Sequence, residues 1–258
     1  MSTCRRPRHN PAATRKRAAR RCVGLQGVDQ TLASIAGAGS IDLGNGSLTT
    51  GSTTSTFAGS ITGNGGLTKA GTGSIGGDAT IEGIHAPGNS PGIQTVGGDL
   101  AYTAGSSVTW ELADNTAALA DRGVEFDGID VGGNLTFSGA TTLNLAFNAS
   151  GSLVDWNDAF WATDKLGTDG WLIYDVTGST TGLLNLSISG TTWLDAGGNS
   201  LTAIRPDASF APEQVGDNVY LTFVAVPEPS ALILAGIGGL LVGVMARRRK
   251  ALCSERRP

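Results

Sequence analysis

Asp121, Glu125, Asp127 and Asp130 fall within ten residues, and carboxylates grouped in this way serve glycosidases as acid and nucleophile or serve as calcium ligands. The spacing matches neither an EF-hand nor a glycine-rich calcium nonapeptide. Asp127 and Asp130 are read instead as part of an exposed strand with a solvated acidic face, with weak calcium binding as the alternative. A lyase acting on uronates needs cations beside its carboxylates, and between residues 23 and 226 the only ones are Lys69, Arg122, Lys165 and Arg205. Histidine is nearly absent. His9 lies in a basic N-terminal stretch and His85 in a glycine-rich turn, where it is expected as a surface imidazole. No Ser-His-Asp set, Cys-His pair or histidine zinc site can be assembled. The runs GNGG and GAGS lack the Lys-Ser/Thr and helix of a phosphate loop. The chain is therefore expected to be no enzyme, with no catalytic residue, metal or cofactor.

Trp156, Trp161 and Trp171 supply a second candidate, three of the five tryptophans within sixteen residues. Aromatic faces of this kind are candidates for stacking on a sugar ring, with exopolysaccharide as the partner. The favoured alternative is that they seal the end of a β stack. A short helix is expected over 155–164, capped by Asp155.

The elements that must position these residues are short strands. SIDL (40–43), SLTT (47–50), STFAGSIT (55–62), GLTKAG (66–71), ATIEG (79–83), IQTV (93–96), DLAYT (99–103) and SVTWELA (107–113) alternate apolar and small polar residues with period two. After residue 152, WLIYDVT (171–177), LLNLSIS (183–189), SLTAI (200–204) and VYLTFVA (219–225) read as further strands. Glycine supplies 39 of the 258 residues, roughly twice the usual share, so the chain is turn-rich. Pro87-Gly88 and Pro91-Gly92 bracket Asn89 and Ser90 as a double turn that redirects the chain. Recurrent glycine-marked strands predict a solenoid whose rungs share one interior.

Charge divides the chain. Eight basic residues lie in the first 22 positions and six follow Ala246, while residues 23 to 226 hold 20 of the 22 acids. Such an acidic body repels nucleic acid and anionic lipid, which excludes both as partners of the folded part. Cysteine is confined to Cys4, Cys22 and Cys253, so no disulfide framework is expected within the body. Residues 1–22 have no apolar stretch behind their basic region and do not read as a signal peptide. They are expected to be a disordered tail or an artefact of a misplaced start.

From Ala231 to Ala246 the chain is apolar throughout, and Arg247, Arg248, Arg249 and Lys250 follow at once. A helix of this length spans about 24 Å, near enough to a ~30 Å hydrocarbon core for snorkelling arginines to close the gap. The basic cluster predicts a cytoplasmic C-terminus and an outward-facing body. Pro227, Glu228 and Pro229 precede that span, and two prolines keep the segment extended and accessible. Taken together, the three parts resemble the PEP-CTERM sorting signal of Gram-negative bacteria. The resemblance implies recognition and cleavage by an exosortase at the inner membrane, followed by delivery of the body to the cell surface or beyond.

GNGGLTKAGTGSI (63–75) resembles the autotransporter-associated β-strand repeat, and residues 85–100 and 125–145 extend the likeness. That family implies rungs of a right-handed parallel β-helix in large surface proteins. The expected organisation is a basic tail over 1–22, a solenoid-like region over 23–151, a β-rich region over 152–225 that caps it, the sorting signal with one transmembrane helix over 226–250, and a tail over 251–258. Such a chain is expected to be an exported structural or adhesin-like envelope protein. The alternatives are a carbohydrate-binding matrix module and, less favoured, a secreted polysaccharide hydrolase or lyase.

Overall fold

The computed structural model describes residues 22–225 except 34, 38, 51–55, 58, 70–73, 88–90 and 191. Its strands come in rounds. The first round is β1 (Cys22–Gly24) and β2 (Gln30–Leu32). The second is β3 (Ser40–Asp42), β4 (Leu48–Thr50) and β5 (Thr56–Phe57), and the third β6 (Ser60–Thr62), β7 (Leu67–Lys69) and β8 (Ser74–Ile75). Next come β9 (Ala79–Ile81), β10 (Ile84–Ala86) and β11 (Ile93–Val96), then β12 (Leu100–Tyr102), β13 (Ser107–Glu111) and β14 (Gly128–Val131). Two more rounds follow: β15 (Leu135–Phe137), β16 (Thr141–Ala146) and β17 (Trp171–Val176), then β18 (Thr180–Thr181) and β19 (Leu186–Ile188). A hairpin of β20 (Ser209–Val215) and β21 (Asn218–Val224) ends the described chain.

Successive members of each round enter three different seven-stranded sheets, A, B and C. Sheet A runs β1-β3-β6-β9-β12-β15-β18, sheet B runs β2-β4-β7-β10-β13-β16-β19, and sheet C runs β5-β8-β11-β14-β17-β21-β20. All pairings are parallel except those of β21 with β17 and β20. The sheets continue across residue 151 without a break, because β17, β18 and β19 extend the same three stacks.

Alternation sends every second side chain inward, and register stacks those side chains in columns. In sheet A, Ile41, Ile61, Ala79, Leu100 and Leu135 lie one above another, all buried. In sheet C the equivalent column is Phe57, Ile75, Val96, Val131 and Val176. Each buried aliphatic side chain contributes about 1.5–3 kcal/mol. These columns are therefore what holds three sheets of very short strands together.

Partners in sheet A are 18 to 21 residues apart from Val23–Ile41 through Ala79–Leu100, then 35 apart at Leu100–Leu135 and 45 apart at Leu135–Thr180. The added length falls at one corner. Residues 112–127, 147–170 and 189–208 all join sheet B to sheet C. The corners between C and A and between A and B stay tight, and glycine makes that closeness achievable. A Cβ on Gly132 would lie 2.5 Å from the Gly97 carbonyl oxygen, and one on Gly83 would lie 2.6 Å from that of Gly65. A Cβ on Gly65 would sit inside the Gly46 carbonyl group. At the C–A corner a polar ladder runs beside the glycines. Asp78 Oδ1 accepts from Asp99 N at 3.0 Å, Asp99 Oδ1 from Asn134 N at 2.7 Å, and Asn134 Oδ1 from Ser179 N at 3.0 Å.

Several expectations are corrected. Residues 201–204, expected as a strand, form a single helical turn, Leu201–Ile204; Arg205 fixes its end by donating from Nε to the Trp156 carbonyl at 2.8 Å. STFAGSIT is two strands in two sheets with Gly59 at the corner between them. The helix expected at 155–164 is one 3-10 turn, Ala159–Ala162, capped by Asp158, whose carboxylate accepts from Phe160 N at 2.7 Å. Cys22 belongs to β1 and is disulfide-bonded, so a cystine reaches the edge of the body. Among the described residues no helix is long and apolar enough to cross a membrane; the transmembrane helix expected at 231–246 lies outside them, as does most of the 1–22 tail.

Gly65→Ala should destabilise the protein by on the order of 2–3 kcal/mol, since two backbones must separate to admit the methyl group. Gly24→Ala, where the nearest atom would be 4.0 Å away, is the control. Urea unfolding of the two variants checks this, and a Gly65→Ala midpoint equal to that of the control would contradict the tight-corner account.

Candidate functional site

A chain of polar side chains crosses the interior between the sheets. His85, on β10, occupies a column of sheet B whose other members are Leu48, Leu67, Val108 and Leu143. It is fully buried, which corrects the expectation of a surface imidazole: the glycine-rich surroundings mark corners, and His85 falls on the inward phase of a strand between them. Its Nδ1 lies 2.5 Å from the hydroxyl of Tyr102 on sheet A, and its Nε2 bonds to Gln94 Oε1 on sheet C. Tyr174, also on sheet C, donates to the Tyr102 oxygen at 3.2 Å. One proton arrangement satisfies all of these: Tyr174 donates to Tyr102, Tyr102 donates to Nδ1, and Nε2–H donates to Gln94. The imidazole is then neutral. Burial lowers its pKa to about 4, opposed by the bond to Gln94. Burial likewise raises both tyrosine hydroxyls well above their ordinary value.

The acidic cluster is dispersed into separate structural roles. Asp127 is 2% exposed, and its carboxylate accepts from Gly92 N at 2.7 Å and Glu111 N at 3.0 Å. Its carbonyl accepts from Trp110 Nε1 at 2.9 Å. The side chain thus ties the turn before β11 to the end of β13. Burial pushes its pKa up to about 7, against the two backbone donors that favour the charged form. Asp130 pairs with Arg122 at 2.6 Å. That arginine also donates from Nε to the Leu172 carbonyl at 2.9 Å and from Nη2 to the Ile129 carbonyl at 3.1 Å, fastening residues 112–127 to sheet C. Asp121 accepts from the Thr116 hydroxyl at 2.6 Å. The solvated acidic face is corrected accordingly: Asp127 and Asp130 point to opposite sides of the sheet, and each has a protein partner. Among the described residues no group of three His, Cys, Asp or Glu side chains could hold a metal ion.

The three tryptophans offered as glycan contacts are all fully buried. Trp156 and Trp161 meet edge to face at 4.7 Å, and Trp161 stacks on Trp171 at 5.7 Å. Phe147, Phe210 and Phe223 complete the packing around them. Trp161 Nε1 donates to Asn115 Oδ1 at 2.8 Å and Trp171 Nε1 to the Thr116 carbonyl at 2.6 Å. No ring face is open to a pyranose. The long loop 147–170 between sheets B and C contributes Phe147, Trp156 and Trp161, and strands β17, β20 and β21 contribute Trp171, Phe210 and Phe223, so that the aromatic cluster fills the last rounds of the stack.

Between residues 152–157 and 195–199 a surface cleft of about 360 Å³ is lined by Ser152, Asp155, Asn157, Asp195 and Asn199. Its carboxylates are engaged. Asp195 accepts from Asn199 N at 2.8 Å and Trp156 N at 3.3 Å; burial opposes ionisation, but donors from Asn199, Trp156 and Gly197 outweigh it and hold the carboxyl below its usual range. Asp155 Oδ1 accepts from Asn157 N at 2.9 Å.

The sorting tail leaves the body at Ala225. That residue is buried, and its N–H donates to Asp164 Oδ1 at 2.7 Å, while Lys165 and Phe223 exchange two backbone hydrogen bonds. Pro227, Glu228, Pro229, Arg247, Arg248, Arg249 and Lys250 lie outside the described residues. The family comparison falls on this segment: residues 225–250 match the PEP-CTERM protein-sorting motif. No curated protein matches the chain. The motif implies recognition by exosortase, a membrane-anchored precursor and export to the cell surface.

His85 and Asp127 tilt the stability of the protein in opposite directions with pH. The folded pKa of His85, about 4, is below its ordinary value of 6.5, so its contribution is complete above about pH 6.5 and is lost as pH falls towards 4. The folded pKa of Asp127, about 7, is above its ordinary value of 3.8, so its contribution is complete below about pH 4 and is lost as pH rises through 7. At about 1.4 kcal/mol for each tenfold change in proton affinity, His85 is worth at most roughly 3 kcal/mol and Asp127 at most roughly 4 kcal/mol. Urea titrations across pH 4–7 should show His85→Leu losing stability more steeply than the parent as pH rises, and Asp127→Asn losing it more steeply as pH falls. Parallel profiles for the parent and both variants would refute these assignments.

Proposed function

We propose that the protein is an exported structural or adhesin-like component of the cell envelope, acting without catalysis. One observation carries this reading: the sorting motif at 225–250 begins where β21 ends, so the whole folded body precedes the signal and is the part delivered. The body is a parallel β-helix. Three sheets visited in rotation support that, and parallel crossovers are right-handed almost without exception. The stretch Gly63–Ile75, which contains β7 and β8, supports its likeness to the autotransporter-associated repeat. Arginines following the apolar span support a precursor held in the inner membrane with its C-terminus in the cytoplasm and its body outward. An acidic, rigid, disulfide-poor rod suits a surface component that must stay soluble after release.

Expression of the full chain in a host with an exosortase, and in the same strain lacking it, tests the reading. With the enzyme, a shortened form should appear at the surface or in the medium; without it, full-length precursor should remain in the membrane fraction. Pro227→Ala, Glu228→Ala and Pro229→Ala combined should reproduce the second pattern in the first strain. Unchanged processing of that triple variant would overturn the assignment.

A further inference from the structure

We propose that the folded body sets the boundary of the processing site: a carboxylate clamp on Ala225 keeps β21 out of a protease cleft, so the bond cut on sorting lies on the C-terminal side of Ala225 and the released body keeps β21 whole. The inference rests on the reading of the tail as an exosortase substrate. A protease takes its substrate as an extended strand whose backbone N–H and C=O groups are free to pair with the cleft. Backbone that is already paired must first come loose, and its cleavage then follows the small population in which it has done so.

β21 is paired on both flanks up to its end. On one side the final pair with β20 is Val224 with Ser209. On the other, Phe223 N donates to the Lys165 carbonyl at 2.9 Å and Lys165 N to the Phe223 carbonyl at 2.8 Å, an antiparallel bridge. Antiparallel register would next bring Thr163 opposite Ala225. The Thr163 carbonyl instead accepts from Lys165 Nζ at 2.9 Å, and Asp164 Oδ1 takes its place, accepting from Ala225 N at 2.7 Å. A side chain thus adds one more rung where the neighbouring backbone carbonyl is engaged elsewhere.

The loop that presents Asp164 is itself held. Asp158 caps the 3-10 turn Ala159–Ala162, and Lys165 Nζ donates to the Phe160 carbonyl at 2.8 Å while lying 4.3 Å from the centre of the Phe160 ring. Opening the strand costs more than these bonds. Phe223 is fully buried against Trp161 and Phe210, at 5.1 and 5.0 Å between ring centres, so drawing β21 out exposes part of the aromatic cluster.

Covalent structure ends the row at the same place. Phe223 and Ala225 donate on one flank, and the next residue in that phase is Pro227, which has no N–H; Pro229 follows two residues on. The sorting motif also begins at residue 225. Body and signal therefore meet at the clamp, and Asp164 is a positioning residue for the cut.

Proteinase K digestion of the full chain in a non-ionic detergent, with the C-terminal residue of the body fragment read by mass spectrometry, tests the clamp. The parent fragment should end at Ala225 or beyond. Asp164→Ala should be trimmed into β21 on the order of tenfold faster, the factor that one hydrogen bond at the upper end of its usual range supplies, while the thermal unfolding midpoint of the body stays close to that of the parent. Asp164→Asn keeps an oxygen that accepts from Ala225 and should restore the parent rate. A parent fragment ending before Ala225, an Asp164→Ala variant trimmed no faster than the parent, or an Asp164→Asn variant trimmed as fast as Asp164→Ala would overturn the proposal. In the exosortase host the released body should likewise end at Ala225 or beyond; a mature C-terminus within β21 would overturn the proposal and leave exosortase processing standing. Precursor left uncut in that host, with the proteinase K fragment still ending beyond β21, would overturn the processing reading, and the assignment of the cut with it, while leaving the clamp.

Discussion

Backbone touching backbone at two corners is the constraint from which the rest of the molecule follows. Strands of two to seven residues bury too little area to hold a sheet alone, so they must be stacked at hydrogen-bonding distance with their inward side chains in register. That stacking requires the chain to turn sharply twice in every round, and the turns of successive rounds lie directly on one another. Gly46, Gly65 and Gly83 fill one such column, and Gly97 and Gly132 stand in another. A side chain in these columns would hold the rounds apart and open the aliphatic columns inside. The glycine content of the sequence is thus a packing requirement.

Two tight corners leave the third free. Every extension of the later rounds enters between sheets B and C, and the one over 147–170 carries Phe147, Trp156 and Trp161, half of the aromatic cluster that fills the end of the stack. Arg122 and Asp127 show how an added loop is fastened: one lays its guanidinium across the carbonyls of sheet C, and the other lends its carboxylate to backbone N–H groups on two separate elements. The polar chain through His85 does a related job in the interior. It joins all three sheets through directional bonds where aliphatic side chains would only fill space, and it fixes their relative rotation.

Much of the strand pattern was legible from period-two alternation and glycine punctuation, because both arise locally. Ser40–Asp42, Leu48–Thr50, Ile93–Val96 and Asn218–Val224 fall where alternation puts them. What could not be read depends on neighbours distant in sequence. His85 looked like a loop residue because IHA is short and lies between glycines; only its register against Leu67 and Val108 places it inside. Asp127 and Asp130 looked equivalent, yet one packs inward and the other faces Arg122. The tryptophans were readable as a cluster, and the length of the loops bearing them determines whether they seal or protrude. Residues 200–204 have strand-like composition, but packing of Leu201 and the Arg205 contacts wind them into a turn. The sorting signal was the most legible part, since its information lies in the order of three adjacent segments.

The last strand leads directly to the tail, and its position has a mechanical side. β21 lies between β17 and β20, paired with β20 along its whole length and on the other flank with β17 at Val219, Tyr220 and Leu221 and with Lys165 at Phe223, and Asp164 clamps the residue that follows. Tension applied through a membrane tether would therefore load two rows of bonds in shear, where they yield together, instead of peeling an edge one bond at a time. A body attached in this way can be pulled by its anchor without unravelling.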